Sequence, residues 1–266
     1  MERAPFAHLV SDPVFDSARY ATLAEGFPPM ERFCRGMEKV ASNQAVRIPA
    51  SAIVDNPEFS DAWRDFFRYH TSRHFWADIV RVFGKEILAA HPDLERKAGR
   101  KLAEWSVRSR GSKEPADVEL DALFVINTPV ERESSVRPAH VDNEDKIFAG
   151  LFYMRAEDDA TPGGDLALYS FKGKPGFGGH YAPLSSVNQE RVIEYRSNRF
   201  VAFVNSPESV HGVIPRPKTD RVRRYINFVA VTPFKTFSIP KMSPVNQLMF
   251  WLERRKTKSA GVMAEG

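Results

Sequence analysis

The sequence predicts an α+β protein in which a mainly helical first part packs on a β-sandwich or jelly roll. Apolar residues recur at helical spacing over roughly the first 105 residues. After Gly111, short apolar runs alternate with turns, a pattern typical of sandwiches and jelly rolls. Phenylalanine is frequent, with 20 of 266 residues, which indicates a wide aromatic core.

Length and composition are those of a globular protein, with 42% hydrophobic and 27% charged residues. A chain of this length fits one large domain, since sandwiches and barrels often reach roughly 200–250 residues. We expect a single domain over residues 1–266. Residues 1–110 would be helical support, 111–235 the jelly-roll core, and 236–266 a C-terminal helix and tail.

The net charge of +4 and the pI of about 9.1 are mild, and the positive charges are spread rather than clustered in a stripe. We therefore expect no nucleic-acid partner. The single cysteine, Cys34, allows no intramolecular disulfide and fits a reducing compartment. No signal peptide or membrane-spanning run is visible, so we expect a cytoplasmic protein that does not bind membranes. The pattern leaves the oligomeric state open.

Four helices are expected. The clearest begins with Asn56 as N-cap and Pro57 as first residue, and we expect it to break near Gly84. Its apolar residues at helical spacing are Phe59, Trp63, Phe66, Phe67, Phe75, Ile79 and Val82. The others are Asp16 to Glu25, Leu94 to Trp105 and Val245 to Arg254.

Six strands are expected, and a glycine- and proline-rich loop over residues 172–190 is a candidate lid for a site. Pro162-Gly163-Gly164 predicts a turn before the third strand. The strands are Leu120 to Ile126, Ile147 to Met154, Asp165 to Tyr169, Arg191 to Tyr195, Arg199 to Val204 and Arg221 to Val231.

His140, Asp142 and His211 are candidate metal ligands. Residues i and i+2 share one face of a strand, so His140 and Asp142 can face one site, which His211 completes from another strand. Two imidazoles and one carboxylate form the facial triad that suits non-haem iron(II). The alternative is a surface His140–Asp142 hydrogen bond and a loop histidine. His70 and His74 lie four residues apart, but we expect them to be structural.

The motifs of residues 120–231, and their order along the chain, resemble those of the 2-oxoglutarate- and iron(II)-dependent dioxygenases, especially the prolyl-hydroxylase-like branch. The segments that carry the resemblance are His140–Asn143, Phe152–Arg155, Pro162–Leu166, Asn198–Phe203, Ser209–Val213 and Arg224–Phe228. The resemblance implies a double-stranded β-helix core, that is, a jelly roll of the cupin type. It also implies iron(II) bound by the triad, 2-oxoglutarate and dioxygen as cosubstrates, and ascorbate as an accessory reductant.

The resemblance further implies a cosubstrate anchor, for which Arg224 and Arg221 remain open. Arg221 lies ten residues after His211 and has the family's spacing, whereas Arg224 lies thirteen after it. We favour Arg224 because alternation places it on one face with the apolar Ile226 and Phe228. Ile226 stands where the family has a serine, so Tyr153 becomes the candidate hydroxyl. The alternative is that Tyr153 is an ordinary core tyrosine.

The implied activity is hydroxylation of an unactivated C–H bond in a small molecule, with release of succinate and carbon dioxide. The Asp142 carboxylate favours hydroxylation over halogenation, because halogenating members have a small residue there. The alternatives are a prolyl-type peptide hydroxylase and a non-catalytic metal-binding protein of the cupin type. Candidate contacts for the substrate are Asn143, Arg155, His180 and the loop from Lys172 to Tyr181.

Overall fold

The computed structural model describes residues 1–244, 247, 248 and 250–252. Its strands are β1 (His8–Ser11), β2 (Ala45–Pro49), β3 (Val107–Ser109), β4 (Val118–Asn127), β5 (Lys146–Tyr153), β6 (Leu166–Phe171), β7 (Val187–Ile193), β8 (Arg199–Val204), β9 (His211–Val213) and β10 (Arg223–Val231). Its α-helices are α1 (Ser17–Glu25), α2 (Met30–Phe33), α3 (Asp61–His70), α4 (Arg73–Ala90) and α5 (Leu94–Ala98).

Two sheets form the core. The large sheet has the order β1-β8-β5-β10-β4-β2, with β3 added in parallel to β4. The small sheet has the order β7-β6-β9. Residues 139–142 extend it, because His140 and His211 exchange backbone hydrogen bonds of 2.8 and 2.9 Å.

The chain alternates between the two sheets in a way that defines a jelly roll. It passes from β4 to residues 139–142, then to β5, across β6 and β7, and back through β8, β9 and β10. Of the jelly-roll segments, β4, β5, β8 and β10 thus lie in the large sheet, and residues 139–142, β6, β7 and β9 lie in the small one, so the predicted double-stranded β-helix core is confirmed. Residues 1–110 supply three further strands, β1 to β3, to the large sheet.

The helices cover the outer face of the large sheet. The side chain of Ser60 caps α3 by accepting a hydrogen bond from the backbone N–H of Trp63. Trp63 is fully buried, and its ring centroid lies 4.6 Å from that of Phe124 on β4. Further ring contacts join α4 to β5, through Phe83 and Phe148. The helical first part is therefore anchored by aromatic packing on the sheet, as predicted.

The boundaries differ from the prediction at several places. The central helix begins at Asp61, because Ser60 rather than Asn56 caps it, and it breaks after His70. Gly84 lies inside α4, where a glycine costs a helix only about 1 kcal/mol, and the helix is held by the buried Phe83 and Ile87 next to it. Strand β7 begins at Val187, so the predicted loop is shorter. The predicted helix from Val245 to Arg254 falls partly outside the described residues.

Within the part of the chain that the structure describes, no helix combines the length and the apolar character needed to cross a membrane.

Candidate active site

His140, Asp142 and His211 come together between the two sheets. Each offers one ligand atom, and these three atoms lie within 4.8 Å of one another. All three side chains are buried. The backbone pairing of residues 139–142 with β9 brings the two histidines side by side, with ring centroids 4.2 Å apart. The arrangement is that of a facial triad with one open side.

Both imidazoles are oriented by backbone carbonyls. Nδ1 of His140 lies 2.8 Å from the carbonyl of Pro138, and Nδ1 of His211 lies 2.8 Å from that of Ser209. A carbonyl can only accept, so each Nδ1 carries the proton and each Nε2 presents a lone pair. Burial lowers the pKa of both histidines, which keeps them neutral. Nε2 of His140 is buried without a hydrogen-bond partner among the described residues.

Asp142 is held between two cations. Nη1 of Arg137 lies 3.1 Å from its Oδ1, and Nζ of Lys146 lies 2.9 Å from its Oδ2. Burial alone would raise the pKa of Asp142, but Lys146 and the other nearby positive groups hold it well below its usual value. The carboxylate is therefore ionised and positioned, as a metal ligand must be.

A buried network joins the two segments that carry the ligands. Nδ2 of Asn205 donates to the carbonyls of Asn143 and Lys146, at 2.9 and 2.8 Å. Its Oδ1 accepts a hydrogen bond of 3.2 Å from Ser209 Oγ. Asn205 therefore fixes the loop after Asp142 against the turn before His211, which maintains the distances between the ligands.

The triad opens on a cavity of about 500 Å³. This volume lies within the range of roughly 300–1,000 Å³ that is usual for small-molecule sites. Apolar side chains from both sheets line part of it, namely Leu151, Leu166, Phe203 and Val213. Its charged walls consist of Asp142 and four cations, Arg47, Arg137, Lys146 and Arg223.

Arg223 is the most unusual of these cations, since it is only 1% exposed. Its Nε donates to the Gly164 carbonyl at 2.7 Å, and its Nη1 donates to Oδ1 of Asn127 at 3.2 Å. Both acceptors are neutral, and its Nη2 has no partner within the described chain. The guanidinium also lies over the rings of three tyrosines, but a buried guanidinium without an anion is costly, which makes Arg223 a candidate for binding an anion.

The glycine turn places the acceptor for Arg223. Gly163 and Gly164 both have positive φ, at 76° and 79°. A Cβ at Gly163 would come within 2.1 Å of the Pro215 carbonyl oxygen, so no larger residue fits this approach. The turn thereby lies against the segment between β9 and β10, and it carries the Gly164 carbonyl that Arg223 needs.

Tyr153 lies beside Arg223. The guanidinium carbon of Arg223 is 5.2 Å from the centroid of its ring. The Tyr153 hydroxyl is buried and has no hydrogen-bond partner in the described part of the chain. Burial raises its pKa to about 12, so the hydroxyl stays protonated and can donate.

Arg224 and Arg221 do not line the cavity. Nε of Arg224 donates to the Met154 carbonyl at 3.0 Å, and its guanidinium carbon lies 5.1 Å from the Phe27 ring centroid, on the helical side of the sheet. Arg221 is largely exposed and pairs with Asp158. The alternation that we predicted for β10 is present, but the apolar face meets the helices and the polar face meets the site.

Of the remaining candidates, Arg155, Asn143 and His180 lie outside the cavity lining, whereas Tyr181 belongs to it. Arg155 donates to three backbone carbonyls and has a structural role. Asn143 is exposed, and His180 does not line the cavity. The 172–190 loop contributes Tyr181 to the lining, because residues 180–182 pair with residues 139–141. His70 lies against the Phe66 and Phe228 rings, and its Nδ1 donates to the Phe66 carbonyl at 2.7 Å.

Sequence reasoning missed several polar residues of the cavity, among them Asn43, Arg47, Arg137, Lys146 and Arg223. A signal was present for Arg223, because Arg223, Tyr225 and Asn227 alternate as a polar row in a strand that is otherwise apolar. For Asn43 and Arg47 no such signal existed, since β2 joins the sheet from far away in the sequence.

Comparison with known proteins gives similarity at the level of structure only. No family model and no curated protein sequence match the chain. A prolyl-4-hydroxylase from Pseudomonas putida shares 11% identity and a TM-score of 0.44, over 85% of this chain and 93% of that one. A prolyl 4-hydroxylase from Phytophthora capsici shares 14% and 0.48, over 94% and 68%.

A third structure is HygX from Streptomyces hygroscopicus, solved with nickel, 2-oxoglutarate and hygromycin B. It shares 14% identity and a TM-score of 0.41, over 85% of this chain and 83% of that one. The identities and TM-scores are low, so the function proposed below rests on the residues of the site. Prolyl hydroxylases and other 2-oxoglutarate-dependent enzymes are among the solved structures similar to this chain.

Proposed function

We propose that the protein is an iron(II)- and 2-oxoglutarate-dependent oxygenase that hydroxylates a small molecule. One observation carries the proposal: the buried triad and the unpaired Nη2 of Arg223 belong to the same cavity. A protein that only bound a metal would not need a buried cation beside the triad. A protein that only bound an anion would not need the triad.

The triad fits iron(II). Two neutral imidazole Nε2 atoms and one carboxylate on the same side leave positions for a bidentate ligand and dioxygen. The carbonyls of Pro138 and Ser209 orient the imidazoles, while Arg137 and Lys146 orient the carboxylate. When bound, iron and 2-oxoglutarate would supply the oxidation of a C–H bond by dioxygen, with succinate and carbon dioxide as co-products.

Arg223 and Tyr153 fit the far carboxylate of 2-oxoglutarate. The guanidinium has a free Nη2, and the Tyr153 hydroxyl is a free donor at neutral pH. We therefore assign the cosubstrate anchor to Arg223 in place of Arg224, and keep Tyr153 as its hydroxyl partner. Leu166 and Phe203 would exclude water from this part of the site.

The cavity supports a small-molecule substrate over a peptide. Asn43, Gln44, Ala45, Arg47 and Tyr181 line it together with residues of the two sheets, so several parts of the chain border the space in front of the triad. We also keep the prediction of a cytoplasmic location, where a reducing environment would maintain iron(II).

The test is formation of succinate from 2-oxoglutarate by the purified protein with iron(II) and ascorbate. We expect slow turnover without substrate, no turnover with EDTA, and none in the His211→Ala variant. If the protein binds metal but neither binds nor consumes 2-oxoglutarate, it is a non-catalytic metal-binding protein and the proposal is wrong. Stimulation by proline-containing peptides alone would identify a peptide hydroxylase instead.

A further inference from the structure

The cavity has more positive charge than iron and 2-oxoglutarate would use. Its walls carry four cationic side chains against one carboxylate, a surplus of three positive charges. The two charges of iron(II) and the two of 2-oxoglutarate cancel. The surplus therefore remains when both are bound, and another anion would relieve it.

Arg47 is an exposed cation of the cavity that has no ion-pair partner among the described residues. It lies on β2 and pairs with Val125 of β4. Val125 in turn pairs with Tyr225 of β10, which belongs to the cavity wall. Among the described residues, its one hydrogen bond goes to the Ala45 carbonyl at 3.3 Å, and no carboxylate of these residues pairs with it. Arg47 is exposed whereas Arg223 is buried, so Arg47 lies at the solvent end of the cavity.

Arg137 adds a second cation that reaches solvent. One of its terminal nitrogens is bound to Asp142, yet 39% of the side chain remains exposed. Its guanidinium has five N–H donors, of which the Asp142 contact uses one. The remaining donors are available to a ligand that enters in front of the triad.

Asn43 provides an unpaired acceptor in the same wall. Its side chain is 1% exposed, and its Nδ2 donates to both the carbonyl and the Oγ of Ser134, each at 3.0 Å. Because a carbonyl only accepts, this contact fixes the orientation of the amide. Its Oδ1 is then an acceptor that is buried without a partner in the described residues, although Asn43 lines the cavity.

We propose that the substrate is a small molecule with an anionic group, which Arg47 and Arg137 bind at the mouth of the cavity, and a hydroxyl that donates to Asn43. This inference rests on the proposed function and specifies its substrate class. A carboxylate and a phosphate-type group share this recognition chemistry. A cationic amine is disfavoured as the donor, because the surplus positive charge would repel it.

The test measures anion binding without turnover. Methylphosphonate is titrated by ³¹P NMR into the protein, with and without saturating 2-oxoglutarate. We expect saturable binding under both conditions, because Arg223 takes the 2-oxoglutarate and leaves Arg47 free. Arg47→Gln should weaken this binding by up to about fivefold, the upper end of the range for loss of one exposed ionic contact.

The matched control is Arg81→Gln, which removes an exposed arginine on α4 that is paired with Asp78 and lies outside the cavity. Its affinity for methylphosphonate should equal that of the unmodified protein. An unchanged affinity in Arg47→Gln, the absence of saturable binding, or complete displacement by 2-oxoglutarate would each overturn the inference. Because this measurement requires no succinate formation, its failure is separable from failure of the proposed oxygenase activity.

Two further probes refine the substrate class. Acetate and inorganic phosphate are each tested as competitors of methylphosphonate. The stronger competitor shows whether the site prefers a carboxylate or a phosphate-type group. Hydroxymethylphosphonate should bind more tightly than methylphosphonate, because its hydroxyl can donate to Asn43. Equal or weaker binding would contradict the role assigned to Asn43.

Discussion

The two faces of the large sheet differ sharply although the same strands form both. The face toward the helices is apolar and aromatic, with Phe124, Phe152 and Phe228 packed among rings from α3 and its neighbours. The face toward the small sheet carries Arg223 and Asn227 beside apolar residues, and it borders the cavity. One face stabilises the fold, and the other holds the candidate chemistry.

This difference between the two faces shows where a buried polar group without a hydrogen-bond partner indicates a ligand site. Burying a polar group without a partner costs free energy, so proteins leave few such groups in a core. On the cavity side, Nε2 of His140, the Tyr153 hydroxyl and Nη2 of Arg223 are all buried without partners among the described residues. Buried atoms without partners also occur on the helical side, for example the Tyr20 hydroxyl, so it is the position of these three at or beside the cavity that makes them candidates for a ligand site.

The largest expected effect is loss of metal from His211→Ala. Residues that only orient ligands contribute about 10–100-fold to metal affinity, so removal of a ligand itself should cost more than about 100-fold. Metal content after gel filtration, measured by mass spectrometry, tests this. His74→Ala, an exposed histidine on α4, should retain metal fully. Retention of iron by His211→Ala, with an unchanged circular dichroism spectrum, would contradict the triad.

The next effect concerns the helix-facing side. Phe124 packs against Trp63, Phe67 and Phe27, with ring centroids 4.6, 4.7 and 5.1 Å away. Phe124→Ala should lower the free energy of unfolding by about 3–5 kcal/mol, because it leaves a cavity among these rings. Urea denaturation gives this value. The folded variant should bind iron and 2-oxoglutarate normally.

The matched variant on the other face is Phe203→Ala. Phe203 lines the cavity, and its ring centroid lies 4.6 Å from that of His211. This variant should weaken metal and 2-oxoglutarate binding at temperatures where it is folded. If Phe124→Ala impaired ligand binding as strongly as Phe203→Ala, the two faces would not be functionally separate.

A third prediction compares adjacent arginines on β10. Arg223→Ala should weaken 2-oxoglutarate binding by about 30-fold or more, since loss of one partner of a buried charge pair costs about 2 kcal/mol or more. Arg224→Ala should change it little, because Arg224 faces the helices. Calorimetric titration of each variant measures the two affinities. Arg223→Lys retains a charge, so its affinity for 2-oxoglutarate should lie between those of the two alanine variants. If Arg224→Ala weakened binding more than Arg223→Ala, Arg224 would be the anchor instead.

The smallest predicted effect is that of Tyr153→Phe. It removes one hydrogen bond to the cosubstrate carboxylate, which should weaken 2-oxoglutarate binding by about 1 kcal/mol, or roughly fivefold. The same calorimetric titration applies. Since the hydroxyl has no partner in the described protein, stability should not fall. A loss of stability with unchanged affinity would identify Tyr153 as a core tyrosine.

Sequence reasoning reached the strands and the triad because both depend on local pattern. The apolar runs of β4, β5, β8 and β10 lie where the pattern predicts them, within a few residues. His140 and Asp142 share a face because residues i and i+2 of an extended chain do so. Helix boundaries were less accurate, because Ser60 and Asn56 are both good N-caps and the packing of Trp63 selects between them.

Sequence reasoning favoured the Arg224 face of β10 for the cosubstrate anchor, whereas the cavity is lined by the Arg223 face. An apolar row usually marks the core, but here it marks the larger core, against the helices. The residues of β2, including Arg47, reach the cavity through a pairing with β4 that spans about eighty residues of sequence. Local periodicity contains no information about such a pairing.

The sequence by itself determined the fold class, the three candidate metal ligands and the turn glycines, since each follows from short-range periodicity or from steric demands at single residues. Only the tertiary structure decided which arginine faces the triad and which distant segment forms the outer wall of the cavity. The physical reason is that alternation assigns residues to two faces of a strand, while the choice of what covers each face depends on packing between elements far apart in the chain.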